Sequence, residues 1–150
     1  MRILIKNLML GLLACVGLSG CMQHNGRIGD WFGTWKLESI TVNGTDDTAY
    51  AGNIFFQFQT DKVHIIEVDT SVPTTRRDCF GRWEESDGTL ILDFSYTADG
   101  TASQFIPMTQ TLLSHDVNIL TIDSKSSKRM EWTLDRADPS QTIVYKLKKQ

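Results

Sequence analysis

Residues 33–44 read Gly-Thr-Trp-Lys-Leu-Glu-Ser-Ile-Thr-Val-Asn-Gly. Apolar Trp35 and Leu37 alternate with charged Lys36 and Glu38, β-branched residues follow, and Asn43-Gly44 ends the stretch. A two-residue period is the mark of a half-buried strand. Asn-Gly is the dipeptide that most readily takes positive φ at both central positions of a tight hairpin turn.

The same pattern continues outward from this strand. Seven further alternating segments run over Asn53 to Gln59, Lys62 to Asp69, Asp78 to Glu84, Thr89 to Tyr96, Asp116 to Asp123, Lys128 to Asp135 and Thr142 to Lys149. Thr60-Asp61, Ser86-Asp87-Gly88, a Ser-rich break and Asp138-Pro139 separate them. Residues 97–114 are irregular and carry Pro107, with a turn of helix expected around Thr109 to Leu113.

Eight short sequential strands imply an all-β, eight-stranded antiparallel up-and-down barrel, because closure removes both exposed edges of a meander. Alternation sends Trp35, Leu37, Ile54, Phe56, Phe58, Val63, Ile65 and Trp83 inward from the first four segments. Leu90, Leu92, Phe94, Met130, Trp132, Leu134, Ile143, Tyr145 and Leu147 complete the interior. Lys36, Glu38, Gln57, Arg82, Asp93, Arg129, Glu131, Lys146 and Lys148 form the solvated exterior. Val63 to Val68 is partly apolar on both faces, so the 97–114 segment is expected to cover it.

Upstream, Arg2 and Lys6 precede an apolar run from Leu8 to Leu18. A basic start with a short apolar stretch is an export signal. The run is too short to span ~30 Å of hydrocarbon, which takes ~20 residues of helix. It closes on Leu18-Ser19-Gly20-Cys21, which resembles the lipobox of bacterial lipoproteins. That resemblance implies cleavage after Gly20, diacylglycerol on the Cys21 thiol, and an acyl chain such as palmitate on the new amine. Residues 1–20 are then a lipoprotein signal peptide, 21–30 a polar tether and 31–150 the barrel. The expected location is the bacterial cell envelope, lipid-anchored at the outer membrane. Cys15 would leave with the signal and Cys21 would carry lipid, so Cys79 stays unpaired.

Trp31-Phe32-Gly33-Thr34-Trp35 resembles the Gly-x-Trp opening of lipocalins, which follows a turn of 3₁₀ helix. The longer run to Gly44 is similar to lipocalin-like lipoproteins of gut bacteria. The resemblance implies that Gly33 and Trp35 form a barrel-end motif, Trp35 sealing the closed end, with Arg136 as the nearest stacking partner. It also implies a small hydrophobic or amphipathic ligand in the barrel, against Phe56, Phe58, Trp83, Phe94, Trp132 and Tyr145, entering opposite Trp35.

The remaining composition narrows function mostly by exclusion. The chain holds 18 acidic and 15 basic residues, a net charge of −3, and −5 without Arg2 and Lys6. Nucleic acid, which needs a basic footprint, is not an expected partner. His24, His64 and His115 show no metal-ligand spacing, so no metal or cofactor is expected. Asp46-Asp47 and Glu84-Glu85 read as solvated turn carboxylates. A Cys79–His64 pair is the one conceivable nucleophile, but a buried inert thiol is the stronger reading, and the chain is read as non-enzymatic. Arg76-Arg77 could contact an anion, since guanidinium binds carboxylate or phosphate bidentately. The alternative to ligand binding is a filled barrel that acts as a protein-interaction or envelope-assembly module through loops 70–78 and 97–114.

Overall fold

A computed structural model describes residues 28–95 and 102–150. The signal, Cys21 and the tether up to residue 27 lie outside the described residues, as do residues 96–101. The strands are β1 (Gly33–Val42), β2 (Thr45–Asp46), β3 (Ile54–Phe58), β4 (Lys62–Val68), β5 (Arg76–Ser86), β6 (Thr89–Asp93), β7 (Val117–Lys125), β8 (Arg129–Ala137) and β9 (Ser140–Lys149). From β3 onward each strand pairs antiparallel with the next, β1 pairs with β3, and β1 also pairs with β9. The result is a closed eight-stranded barrel of β1 and β3–β9, as the alternation implies. The two-residue β2 folds back on the end of β1 through Asn43 (φ 51°) and Gly44 (φ 80°), the conformation for which Asn-Gly is suited.

Strict alternation fails within β1 itself. Leu37 faces Leu147, but the next paired position is Ser39 with Lys146, which leaves Glu38 as an extra residue in a bulge. The inward set therefore changes from odd to even numbers, and Ile40 is buried rather than Ser39. A second bulge between Ile122 and Ser124 does the same to β7. On that strand Asn118 and Leu120 join the interior.

Both barrel ends are covered. At one, a 3₁₀ turn at Gly29–Trp31 inserts the Trp31 indole beneath the sheet, as the lipocalin-like opening implies. At the other, the connection from β6 to β7 returns across the mouth, with Met108 and Thr111 fully buried around a 3₁₀ turn at Thr109–Thr111. Gln110 ties this strap down, donating to Glu67 Oε1 (2.9 Å) and accepting from the Ala51 amide (3.2 Å). An earlier turn of the same connection, Ala102–Phe105, packs on β5. There Gln104 and Phe105 wall a groove over His64 and Phe80, so the segment does lie on the side where β4 and β5 need cover.

Gly81 marks where β5 and β6 cross most closely. A Cβ there would stand 2.6 Å from the Phe94 ring and 2.9 Å from the Asp93 carbonyl oxygen. Gly81→Ala should therefore destabilise the barrel by about 1–3 kcal/mol through overpacking, read as a lowered urea midpoint at unchanged slope.

Candidate functional site

The interior is built from side chains that alternate inward on paired strands. Phe56, Phe94, Trp132 and Tyr145 are among the largest fully buried residues, and Phe58 is only slightly less so. Phe56 and Phe58 meet the Trp132 ring edge-on, with centroids 5.6 and 6.0 Å away. Edge-to-face contact matches the positive ring edge to the negative face. Trp83 is different: it is half-buried at the closed end, edge-on to Phe58 and tilted against Trp31, and its Nε1 donates to the Gln59 carbonyl (2.6 Å).

Among the described residues, two polar atoms inside this aromatic interior lack a partner. Trp132 and Tyr145 are directly opposed on β8 and β9, and neither Trp132 Nε1 nor the Tyr145 hydroxyl makes a hydrogen bond to another described residue. Burial raises the Tyr145 phenol far above its ordinary pKa, against a smaller downward pull from the Arg136 charge, so the hydroxyl stays protonated. Tyr50 shows the contrasting arrangement near the other mouth. Its hydroxyl donates to the Leu37 carbonyl (2.7 Å) and accepts from the Ile54 amide (3.3 Å). Burial pushes this phenol up to about 12, and the Ile54 amide opposes the rise.

The closed end is organised by indoles. Trp35 is fully buried and its Nε1 donates to the Trp31 carbonyl (2.9 Å). The expected partner Arg136 is not on it: Arg136 lies at the opposite mouth and donates to the Leu112 carbonyl of the strap. Lys149 takes that place, its ammonium 5.2 Å from the Trp35 ring centroid. β9 pairs with β1 over Trp35, which puts the Lys149 position beside the indole, whereas Arg136 sits past the hairpin side of β8. Gly33 is required under this lysine, since a Cβ would stand 2.9 Å from Lys149 Cε and its φ is 114°.

Glu84 and Glu85 do not share a solvated role. Glu85 accepts from Trp31 Nε1 and from Lys125 Nζ, closing the rim below the indole. Partial burial works to raise its pKa, but the hydrogen bonds from Lys125 and Trp31 together with the Lys125 charge hold it below the ordinary carboxylate value. No spacing in the sequence announces this contact, which joins residues 54 positions apart.

Arg76 and Arg77 lie at the opposite mouth within β5, and alternation sends their side chains to opposite faces. Arg76 Nε is bound to Asp78 Oδ2 (3.1 Å) on the outer face. Arg77 is opposed to Glu67 on β4, and both line a rim cleft of about 350 Å³ with Arg76, Asp69 and Gln110. Both arginines therefore border one cleft, Arg76 held to Asp78 and Arg77 across from Glu67, and carboxylates share it.

His64 and Cys79 are separated by the sheet. His64 faces outward, bonded to Asp78 Oδ1 (2.6 Å) and stacked on Phe80 at 4.5 Å. Cys79 faces inward with no exposure, and burial pushes its thiol up to about 12, slightly offset by the Arg77 charge. A neutral thiol on the far side of the backbone is not activated by that imidazole.

Comparison with known proteins follows this geometry. A family model described as a lipocalin-like domain matches residues 16–140. Among solved structures, an uncharacterised protein from Bacteroides eggerthii is 14% identical with a TM-score of 0.59, the match covering 80% of this chain and 99% of that one. A lipocalin-like protein from Bacteroides uniformis is 14% identical with a TM-score of 0.55, over 81% of this chain and all of the other. At that identity the likeness concerns the fold. No curated protein sequence matches the chain.

Two outcomes test this site chemistry. In the folded protein Cys79 should react with a thiol reagent only on unfolding, and Cys79→Ser should cost about 1–3 kcal/mol for a poorly satisfied buried hydroxyl. A lowered carboxylate pKa contributes stability that is present above the unfolded value and lost as pH falls through the folded one. Glu85→Gln should therefore flatten the acid limb of the stability–pH curve below the ordinary glutamate pKa. After solvent screening the effect should be on the order of 0.5 kcal/mol in denaturant melts at successive pH values.

Proposed function

We propose that this chain, which belongs to the lipocalin-like domain family, is a lipid-anchored envelope protein that holds one small amphipathic molecule inside its barrel. The observation that carries the ligand is a pair of groups unpartnered among the described residues, Trp132 Nε1 and the Tyr145 hydroxyl, on directly opposed residues of an apolar interior. Leaving one buried polar group unsatisfied costs about 1–3 kcal/mol. An indole N–H only donates and a phenol can donate, so both suit an oxygen acceptor on the ligand. Phe56, Phe58 and Phe94 would meet its apolar body.

Entry is opposite Trp35, through the strap. Met108 fills that mouth, and an unbranched thioether side chain repacks more readily than a branched one. The anchor is Cys21, supported by the Leu18-Ser19-Gly20-Cys21 motif behind a basic, apolar leader. Acyl chains at ~0.8 kcal/mol per buried methylene would hold the protein on a bilayer. Nothing in this role asks for bond-breaking chemistry, and binding rather than catalysis is the reading.

A second reading is supported by the dense interior and the covered mouths. A solid barrel would act through its outer surface as an interaction or assembly module.

Native mass spectrometry of the protein extracted from membranes separates the two. Ligand binding predicts an additional small mass that leaves on denaturation. Tyr145→Phe should weaken rebinding about fivefold, the worth of one hydrogen bond near 1 kcal/mol, while stability of the empty protein is unchanged or higher because an unsatisfied hydroxyl is gone. Absence of any bound mass, with Tyr145→Phe only stabilising, would favour the solid module. Cys21→Ser should abolish the acyl mass whichever of the two holds.

A further inference from the structure

The closed end carries a charge arrangement that the fold does not need. Lys36 on β1 is directly opposed to Lys148 on β9, and Lys148 is directly opposed to Arg129 on β8. Three cations thus stand in one row across three adjacent strands, all on the outer face. Like charges at directly opposed positions destabilise a sheet. One carboxylate relieves the row, Glu38, bonded to Arg129 at 2.9 Å. Lys128 in the β7–β8 hairpin and Lys149 on the rim extend the same patch, whereas Lys125 is paired with Glu85.

Two further features stand at this end. Phe32 is 52% exposed where the chain enters β1, bridged to Phe58 of β3. Ile28, at the same end, is seven residues from Cys21, so an extended tether reaches at most about 25 Å at ~3.6 Å per residue. Asp61, Glu84, Glu85 and Asp87 lie on the opposite flank, at the β3–β4 and β5–β6 turns, together with Lys62 and Arg82, which oppose each other on β4 and β5; Asp30 stands by Lys149.

We infer that the closed-end flank of β8, β9 and β1 is a docking surface for an anionic lipid bilayer, on which the barrel leans with its strap-covered mouth turned away. The inference rests in part on the Cys21 anchor, which supplies proximity; the row of Lys36, Lys148 and Arg129 supplies orientation. Each cation near an anionic surface strengthens attachment about fivefold. Phe32 adds an aromatic ring at headgroup depth, where amphipathic and aromatic side chains favour the interface.

The test uses the membrane-extracted protein in vesicles of phosphatidylethanolamine with about a third phosphatidylglycerol, a fraction set so that surface charge dominates over the ~10 Å screening length. A fluorophore is placed on Ser127→Cys, in the β7–β8 hairpin, or on Thr74→Cys, at the opposite mouth, both exposed positions. Lipid-borne nitroxides should quench the first strongly and the second little. The difference should collapse in phosphatidylcholine vesicles, at high salt, or with Lys36→Glu, Arg129→Glu and Lys148→Glu combined. Equal quenching at both positions, or asymmetry indifferent to lipid charge and to those reversals, overturns the inference. Mass analysis of the same sample reads Cys21 acylation separately. If no acyl group is present, sedimentation of the processed protein with the same vesicles tests the row alone: salt-sensitive binding supports it and no binding overturns it.

Discussion

The antiparallel pairing of β1 with β9 is the constraint on which the other features depend. It runs from Trp35 opposite Lys149 to Val42 opposite Ile143, and it converts a meander into a closed surface with no free edge among the barrel strands. The same pairing brings a lysine over the closed-end indole and turns Tyr145 inward opposite Ile40. It also lines up Lys36 with Lys148. Packing at the base, an unpartnered phenol in the middle and a basic flank outside are three results of one register.

What the sequence made legible was the part governed by local period. Eight strands, the Asn43-Gly44 turn and nearly all of the interior follow from alternation and turn chemistry, while the 3₁₀ turn before Trp35 follows from the lipocalin-like opening. The bulges did not follow, because nothing in Glu-Ser or Asp-Ser announces an extra residue, and this hides Ile40; Leu120 is hidden for another reason, because Val117 and Ile119 make the other face of β7 apolar as well. Trp83 was read as interior because its parity is right, but it sits where the barrel ends and parity no longer implies burial. Met108 lies in an irregular connection with no period at all. Arg136 and Lys149 were confused because proximity to the last strand is a chain distance, whereas stacking on Trp35 is decided by which strand end closes over it.

The candidate site divides in the same way. The aromatic character of the interior was visible from composition and alternation. Which of its polar atoms lack partners was not, since Tyr50 and Tyr145 look alike in sequence. One phenol reaches a strand carbonyl and the other does not. Similarly, Arg76-Arg77 reads as a doubled charge, and both border the rim cleft, but the carboxylates that share it, Glu67 and Asp69, come from β4 and the residue after it, which the pair itself does not signal.

The bulge at Glu38 also bears on how the chain finds its shape. Because β1 carries inward residues of both parities, it behaves as a ruler with a single notch. A shift by one residue turns Trp35 outwards, and a shift by two puts the notch against the wrong partner on β9. Closure must also join segments separated by about a hundred residues, the kind of non-local pairing that slows folding. A notched strand searching late for a distant mate has one seat to find, so the slow step of assembly is at the same time its proofreading step.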